Sequence, residues 1–176
     1  MSSQVSRGII DRMIGASRLD VHTFEEVEED KSATVQAMIV VGVVALATGI
    51  ASLGTIGIGG LFAGVVTGLA GWAMWALIVF FIGTKLLHTQ STHADWGQLA
   101  RALGFAQSPG VLRVFGVIPG IGGIIFIGAS IWMLMAMVTA VRQALDYDST
   151  WRAVWVVLLG FIPYVLLMSV MLRVLS

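Results

Sequence analysis

Residues 103–123 read LGFAQSPGVLRVFGVIPGIGG, and they hold two of the chain's three prolines (Pro109 and Pro119), six glycines and one isolated charge, Arg113. Long apolar runs flank this stretch on both sides. Whether it crosses a bilayer or enters and turns back decides the number of crossings. It therefore also decides which side of the membrane each later charge sees.

Membrane residence follows from composition. Of 176 residues, 57% are hydrophobic and 11% charged, and the mean hydropathy is +0.93. A soluble domain carries roughly 25% charged residues, so too little polar surface exists here to cover a water-facing globule. A formal net charge of zero without a basic cluster argues against a nucleic-acid partner. The chain has no cysteine, which removes disulfides, thiolate nucleophiles and cysteine metal sites.

Working outward from the break, Trp96–Gln107 can form a helix with Leu99, Ala102, Leu103 and Ala106 on one face and Gln98 and Arg101 off it. Asp95 is placed to cap it. Pro109 disfavours helical geometry at Ser108 but suits the first turn of a new helix. That piece, Pro109–Ile118, is ended by Pro119-Gly120 and is only about 15 Å long as an α-helix. A further apolar helix runs over about 120–142, and a last one over Trp151–Arg173, with Pro163 inside it.

Upstream, Ser32–Thr84 contains no formally charged residue. These 53 positions would extend about 80 Å as one helix, whereas one crossing needs about 20 residues. Two crossings are expected, at about 33–53 and 61–86, with a turn at Leu53–Gly60. Gly60, Gly64 and Gly68 recur every four residues and continue to Trp72 and Ala76. Such a stripe lets another helix approach closely, with Ala45 and Gly49 as the matching small pair.

The first 32 residues form a helical extension ahead of a transmembrane domain at 33–176. Arg7, Asp11 and Arg12 interrupt what would otherwise be the apolar core of a signal peptide. At 100° per residue Val5, Ile9, Ile10, Met13, Ile14 and Ala16 share one face, an amphipathic helix suited to the headgroup region or to packing on the protein's own loops. Thr23-Phe24-Glu25-Glu26 has capping-box spacing, and the acidic turn that follows is expected to be a solvated face. His88, His93 and Asp95 lie in a polar loop without the convergence a metal needs. No catalytic, cofactor or metal site is expected.

The distribution of Lys and Arg favours the crossing alternative. If the broken segment crosses, Arg7, Arg12, Arg18, Lys31, Lys85, Arg101, Arg142 and Arg152 share the cytoplasmic side, as the positive-inside bias prefers. The expectation is an all-α, polytopic bundle of five transmembrane helices, the third short and broken, behind N-terminal amphipathic helices. The N-terminus is then cytoplasmic and the C-terminus outside. Arg113, charged within the hydrocarbon, is expected to snorkel towards the cytoplasmic side and pair with Asp146 or Asp148, or else to face a substrate.

Leu103-Gly104-Phe105-Ala106 followed by Pro109 and Leu112, then Ile118-Pro119-Gly120, Trp132 and Ala140-Val141-Arg142-Gln143-Ala144-Leu145-Asp146 resemble the Yip1 family in its compact bacterial form. Phe24 with the acidic turn after it fits the same likeness. The resemblance implies five spans, a cytoplasmic N-terminus and residence in a bacterial cytoplasmic membrane. Eukaryotic members act in vesicle traffic and bind Rab-type GTPases or one another. This chain lacks their long Pro/Gly/Tyr-rich N-terminal region, which argues against GTPase binding. Two functions stay open: a non-enzymatic scaffold or adaptor contacting lipid, a second copy or other membrane proteins, and a small transporter or channel with its path at the broken helix.

Overall fold

The computed structural model describes residues 8–90, 92 and 94–175. Their regular structure is helical throughout. Two short helices, α1 (Ile9–Ser17) and α2 (Val21–Glu29), precede α3 (Ala33–Ala51) and α4 (Leu53–Phe81), which ends in a π-helical turn at Ile82–Leu86. Then come α5 (Trp96–Phe105), a 3₁₀ segment (Ser108–Val117), α6 (Gly122–Ala144) and α7 (Thr150–Leu175). Four helical stretches are long and apolar enough to cross a membrane: Ala33–Ala51, Gly57–Leu86, Gly122–Ala144 and Thr150–Val170.

The turn expected at Leu53–Gly60 is tighter and more helical than glycine content suggested. α3 stops at Ala51 and helix resumes at Leu53, so the reversal is completed at Gly57, whose φ of 63° and ψ of −178° break the helical path. That φ favours glycine, because a Cβ would crowd the following carbonyl. Inside α3 the hydroxyls of Thr48 and Ser52 donate back to the carbonyls of Val44 (2.9 Å) and Thr48 (3.2 Å), which satisfies them in an apolar setting.

The broken segment follows α3 along its length. A Cβ added to Gly104 would lie 2.7 Å from the Ala37 Cβ, one on Gly110 2.6 Å from the Val44 Cγ1, and one on Gly116 3.1 Å from the Ala51 Cβ. Each step is seven residues of α3, two α turns or about 10.5 Å. It matches six residues of the broken segment, about 12 Å at the 3₁₀ rise for the step from Gly110 to Gly116. The glycines let the two backbones meet at three heights. The segment thus runs from the end where α2 joins α3 (the proximal end) to the α3–α4 turn (the distal end).

Pro109 occupies the first turn of the 3₁₀ segment, where its missing N–H costs nothing. Ser108, Pro109 and Gly110 are buried. At the far end Gly120 takes a φ of 86°, and the Gly122 amide donates to the Ile118 carbonyl at 2.9 Å. This Pro119-Gly120 turn sends α6 back towards the proximal end. There Leu145 packs into Gly83 of the π turn, and the Tyr147 hydroxyl lies 2.9 Å from the carbonyls of both Gly83 and Leu87. α7 then runs antiparallel to α4: Gly160 meets Trp75, and Tyr164 meets Gly71.

One apolar core joins these elements, with Phe24 and Val27 of α2, Val40 of α3, Ala76 and Val79 of α4, Leu99 and Phe105 of α5, Ala140 of α6 and Val156 of α7 fully buried. The N-terminal extension is therefore packed into the proximal end of the bundle.

Three local expectations are corrected. The helix containing Thr23 is capped by Asp20, whose carboxylate accepts from the His22 amide and from the Thr23 hydroxyl (2.7 Å). Leu19, at φ 60°, turns the chain so that α2 starts two residues before Thr23. The glycine stripe is not one packing surface. Gly68 approaches Ala45 (3.1 Å for an added Cβ), whereas a Cβ on Gly64 meets no atom within 4 Å. Gly60 is only partly buried, and Gly49 lies against Leu61. Arg101, expected off the buried face of α5, is 5% exposed. Asp95 does cap α5, in a reciprocal capping box with Gln98.

Candidate functional site

Two arginines, Arg12 and Arg101, are buried and hold the proximal layer together. Arg12 is 1% exposed. Its Nε and Nη2 donate to Glu26 Oε1 at 3.0 and 2.9 Å, Nη2 also to Asp30 Oδ2 at 2.7 Å, and Nη1 to Gln36 Oε1 at 2.9 Å. α1, α2 and α3 are thereby joined through one guanidinium. Arg101 donates its Nε to the Val27 carbonyl at 3.0 Å and its Nη2 to the Glu28 carbonyl. It caps the last carbonyls of α2, where a cation also suits the helix dipole.

The carboxylates of this layer respond in opposite directions. Asp30 is lowered to about 2, first by the Ser32 hydroxyl and then by Arg12. Glu28 is raised to about 7, first by burial and then by the nearby charge of Asp146, Glu29 and Glu25, with Arg101 opposing.

With Arg12 facing inward, α1 buries a charge beside its apolar residues. Its inner face carries Arg12 and Ala16, while Ile10 and Ile14 are 67% and 46% exposed. Ile9 and Met13 pack against the core, and the Trp132 indole of α6 donates to the Ser17 carbonyl at 2.7 Å. Val5 and Arg7, placed in the same helix from sequence, lie outside the described residues.

The second constellation lies at the broken segment. With three residues per turn, Gln107, Gly110, Arg113 and Gly116 stack along one face; in an α-helix positions 107 and 113 would differ by about 120°. Gly110 and Gly116 draw that face onto α3, and Arg113 sits between them. Its Nη2 donates to Ser130 Oγ at 2.8 Å, its Cζ lies 4.6 Å above the centre of the Phe126 ring, and its Nε is buried without a hydrogen-bond partner among the described residues.

The expected pairing of Arg113 with Asp146 or Asp148 does not form. Ser130 lies fourteen residues before Ala144, about 21 Å along α6, and only about 12 Å from the distal start at Gly122. Arg113 therefore belongs to the distal half. Asp146 instead lies near Glu28, and Arg142 holds the 146–150 loop by donating to the carbonyls of Tyr147 (3.2 Å) and Asp148 (3.4 Å) and to Thr150 Oγ1 (3.2 Å).

Beside Arg113 is a cavity of about 380 Å³ between α3, α4, the broken segment and α7. Thr48, Gly64, Thr67, Gln107, Arg113 and Tyr164 contribute to its wall. The Tyr164 ring is held edge-on to Trp75, 5.3 Å between centres. Among the described residues no three His, Asp or Glu side chains come together as a metal site. Asp95 is engaged in its helix cap, and His93 lies outside the described residues.

Residues 20–170 match the family model of the Yip1 domain. Comparison with curated proteins and with solved structures gives no match.

Proposed function

The chain belongs to the Yip1 domain family and is a multi-pass membrane protein, and on that premise we propose that it acts as a non-enzymatic membrane scaffold or adaptor of five crossings. Its proximal layer is cytoplasmic, its C-terminus is outside, and the membrane is a bacterial cytoplasmic membrane. The observation that carries the reading is α1, held by a buried Arg12 so that Ile10 and Ile14 face outward. A helix fixed in that orientation by an internal ion cluster presents an apolar edge to lipid or to a partner helix at the headgroup level.

Five crossings are supported by the three-point contact of the broken segment with α3 and by the Lys and Arg residues gathered at the proximal end. Cysteines at His22 and Trp151 are then labelled from the cytoplasm, and cysteines at Ile58 and Ile121 from outside. Labelling of Ile121 from the cytoplasmic side would make the segment re-entrant. The functional test is the double variant Ile10→Glu/Ile14→Glu. Both sites are exposed, so melting stays near wild type while the proteins and lipids that co-purify from native membranes are lost. Unchanged co-purification refutes the scaffold surface. The alternative, a small transporter or channel, draws on the cavity at the broken segment and predicts solute flux in proteoliposomes.

A further inference from the structure

Arg113 places a charge in the bundle for which the sequence provides no nearby counter-charge. No Asp or Glu occurs between residues 31 and 94 or between 96 and 145, the stretches that supply α3, α4, the broken segment and α6. Its contacts among the described residues are neutral: one hydroxyl and one aromatic face. An ion at hydrocarbon depth is costly and a functional candidate by default, and one hydrogen bond with a cation–π contact leaves its net charge without an opposite charge. The orphaned Nε adds to the deficit.

The adjoining cavity is built to supply the missing charge. Beyond Arg113 its lining includes Gln107, Thr67 and Tyr164, side chains able to donate. No carboxylate lines it, so nothing repels an anion. Its 380 Å³ would hold roughly a dozen waters at ~30 Å³ each, room for a hydrated oxyanion. A guanidinium is also the side chain best matched to two oxygens of such a group. We propose that this cavity binds a phosphate oxyanion, either free inorganic phosphate or the headgroup of an anionic phospholipid. The site stands beside the scaffold reading and does not depend on α1.

The test is melting of the purified full chain in neutral detergent, followed by tryptophan fluorescence. One arm adds sodium phosphate against sodium chloride at equal ionic strength; the other adds phosphatidylglycerol against phosphatidylcholine. Saturation raises the wild-type melting temperature by about 5 °C in at least one arm, and the responding arm identifies the source. Arg113→Gln abolishes the rise. Gly64→Leu abolishes it too, because the side chain grows into the cavity where an added Cβ meets no atom within 4 Å, and its melting without ligand stays near wild type. Should Arg113→Gln fail to fold, Gly64→Leu decides alone. Absence of a rise in both arms, or an undiminished rise in Gly64→Leu, overturns the proposal. Ile10→Glu/Ile14→Glu retains the response, so failure of the scaffold surface and failure of this site are read separately.

Discussion

Replacing Arg12 by methionine keeps most of the side-chain volume and removes the charge that joins three helices. The wild-type guanidinium makes charge-assisted bonds to Glu26 and Asp30, whose side chains are 26% and 28% exposed, and a bond to Gln36. Bonds to charged groups contribute about 1.5–3 kcal/mol each; the exposure of both carboxylates places these at the lower end, about 3 kcal/mol together. The Gln36 bond adds about 1 kcal/mol. Burying the methionine returns about 1.5 kcal/mol, so Arg12→Met is destabilised by about 2–3 kcal/mol. Reversible unfolding in a denaturing-detergent titration measures this, with Arg18→Met, at an exposed position, as a control expected to change little. In an Arg12→Met/Asp30→Asn cycle the two effects fail to add by about 1 kcal/mol or more. A loss under 0.5 kcal/mol at Arg12, or strict additivity, would refute the view that this cluster fastens α1 to the bundle.

Glu28 gives the layer a pH dependence of a particular sign. Its folded value near 7 lies above the ordinary 4.5, so the folded state holds a proton that the unfolded chain releases between those values. Its contribution to stability is complete below about pH 4.5 and is lost as pH rises through 7. Glu28→Gln therefore melts higher than wild type at pH 8 and close to it at pH 4; equal melting at both pH values would remove Glu28 as the cause. Gly104→Ala brings a methyl to 2.7 Å from the Ala37 Cβ and 3.3 Å from its backbone Cα, so the helices must separate. Thermal melting should reveal a loss of about 1–3 kcal/mol, whereas Gly64→Ala, facing open space, leaves stability nearly unchanged.

The apolar crossings and the Asp95 cap are legible in sequence because hydropathy and capping act over neighbouring positions. The Arg12 cluster is not: its partners lie fourteen to twenty-four residues away, and the helical wheel of α1 sets Arg12 only towards the edge of its apolar face. The unusual density of acids in residues 25–30 was the available signal, since so many carboxylates at one helix call for a cation. The Gly60-Gly64-Gly68 spacing marks a smooth helix face with Ala45 as its partner, and Ala45 does cover Gly68, whereas Gly64 faces open space. Arg113 lies towards the distal end because the segment advances along α3 from Ala37 at Gly104 to Ala51 at Gly116, a course that counting from Pro109 alone does not reveal. The glycines at 104, 110 and 116 recur every six residues, and within the 3₁₀ segment the interval from Gly110 to Gly116 is two turns.

A segment built partly from 3₁₀ backbone has a length that is not fixed by its residue count. Ten residues at 2.0 Å cover about 20 Å, and the same ten wound as α would cover about 15 Å. With α5 contributing about 15 Å more, the segment reaches roughly 35 Å and exceeds the 30 Å hydrocarbon thickness; fully α, it would only just equal it. Exchanging each amide's acceptor for the next carbonyl back would draw the Pro119-Gly120 turn inward by about 5 Å and swing Gln107 and Arg113 off their common face. The broken segment is thus a spring among rods, and its extension is held by three glycines seated on α3.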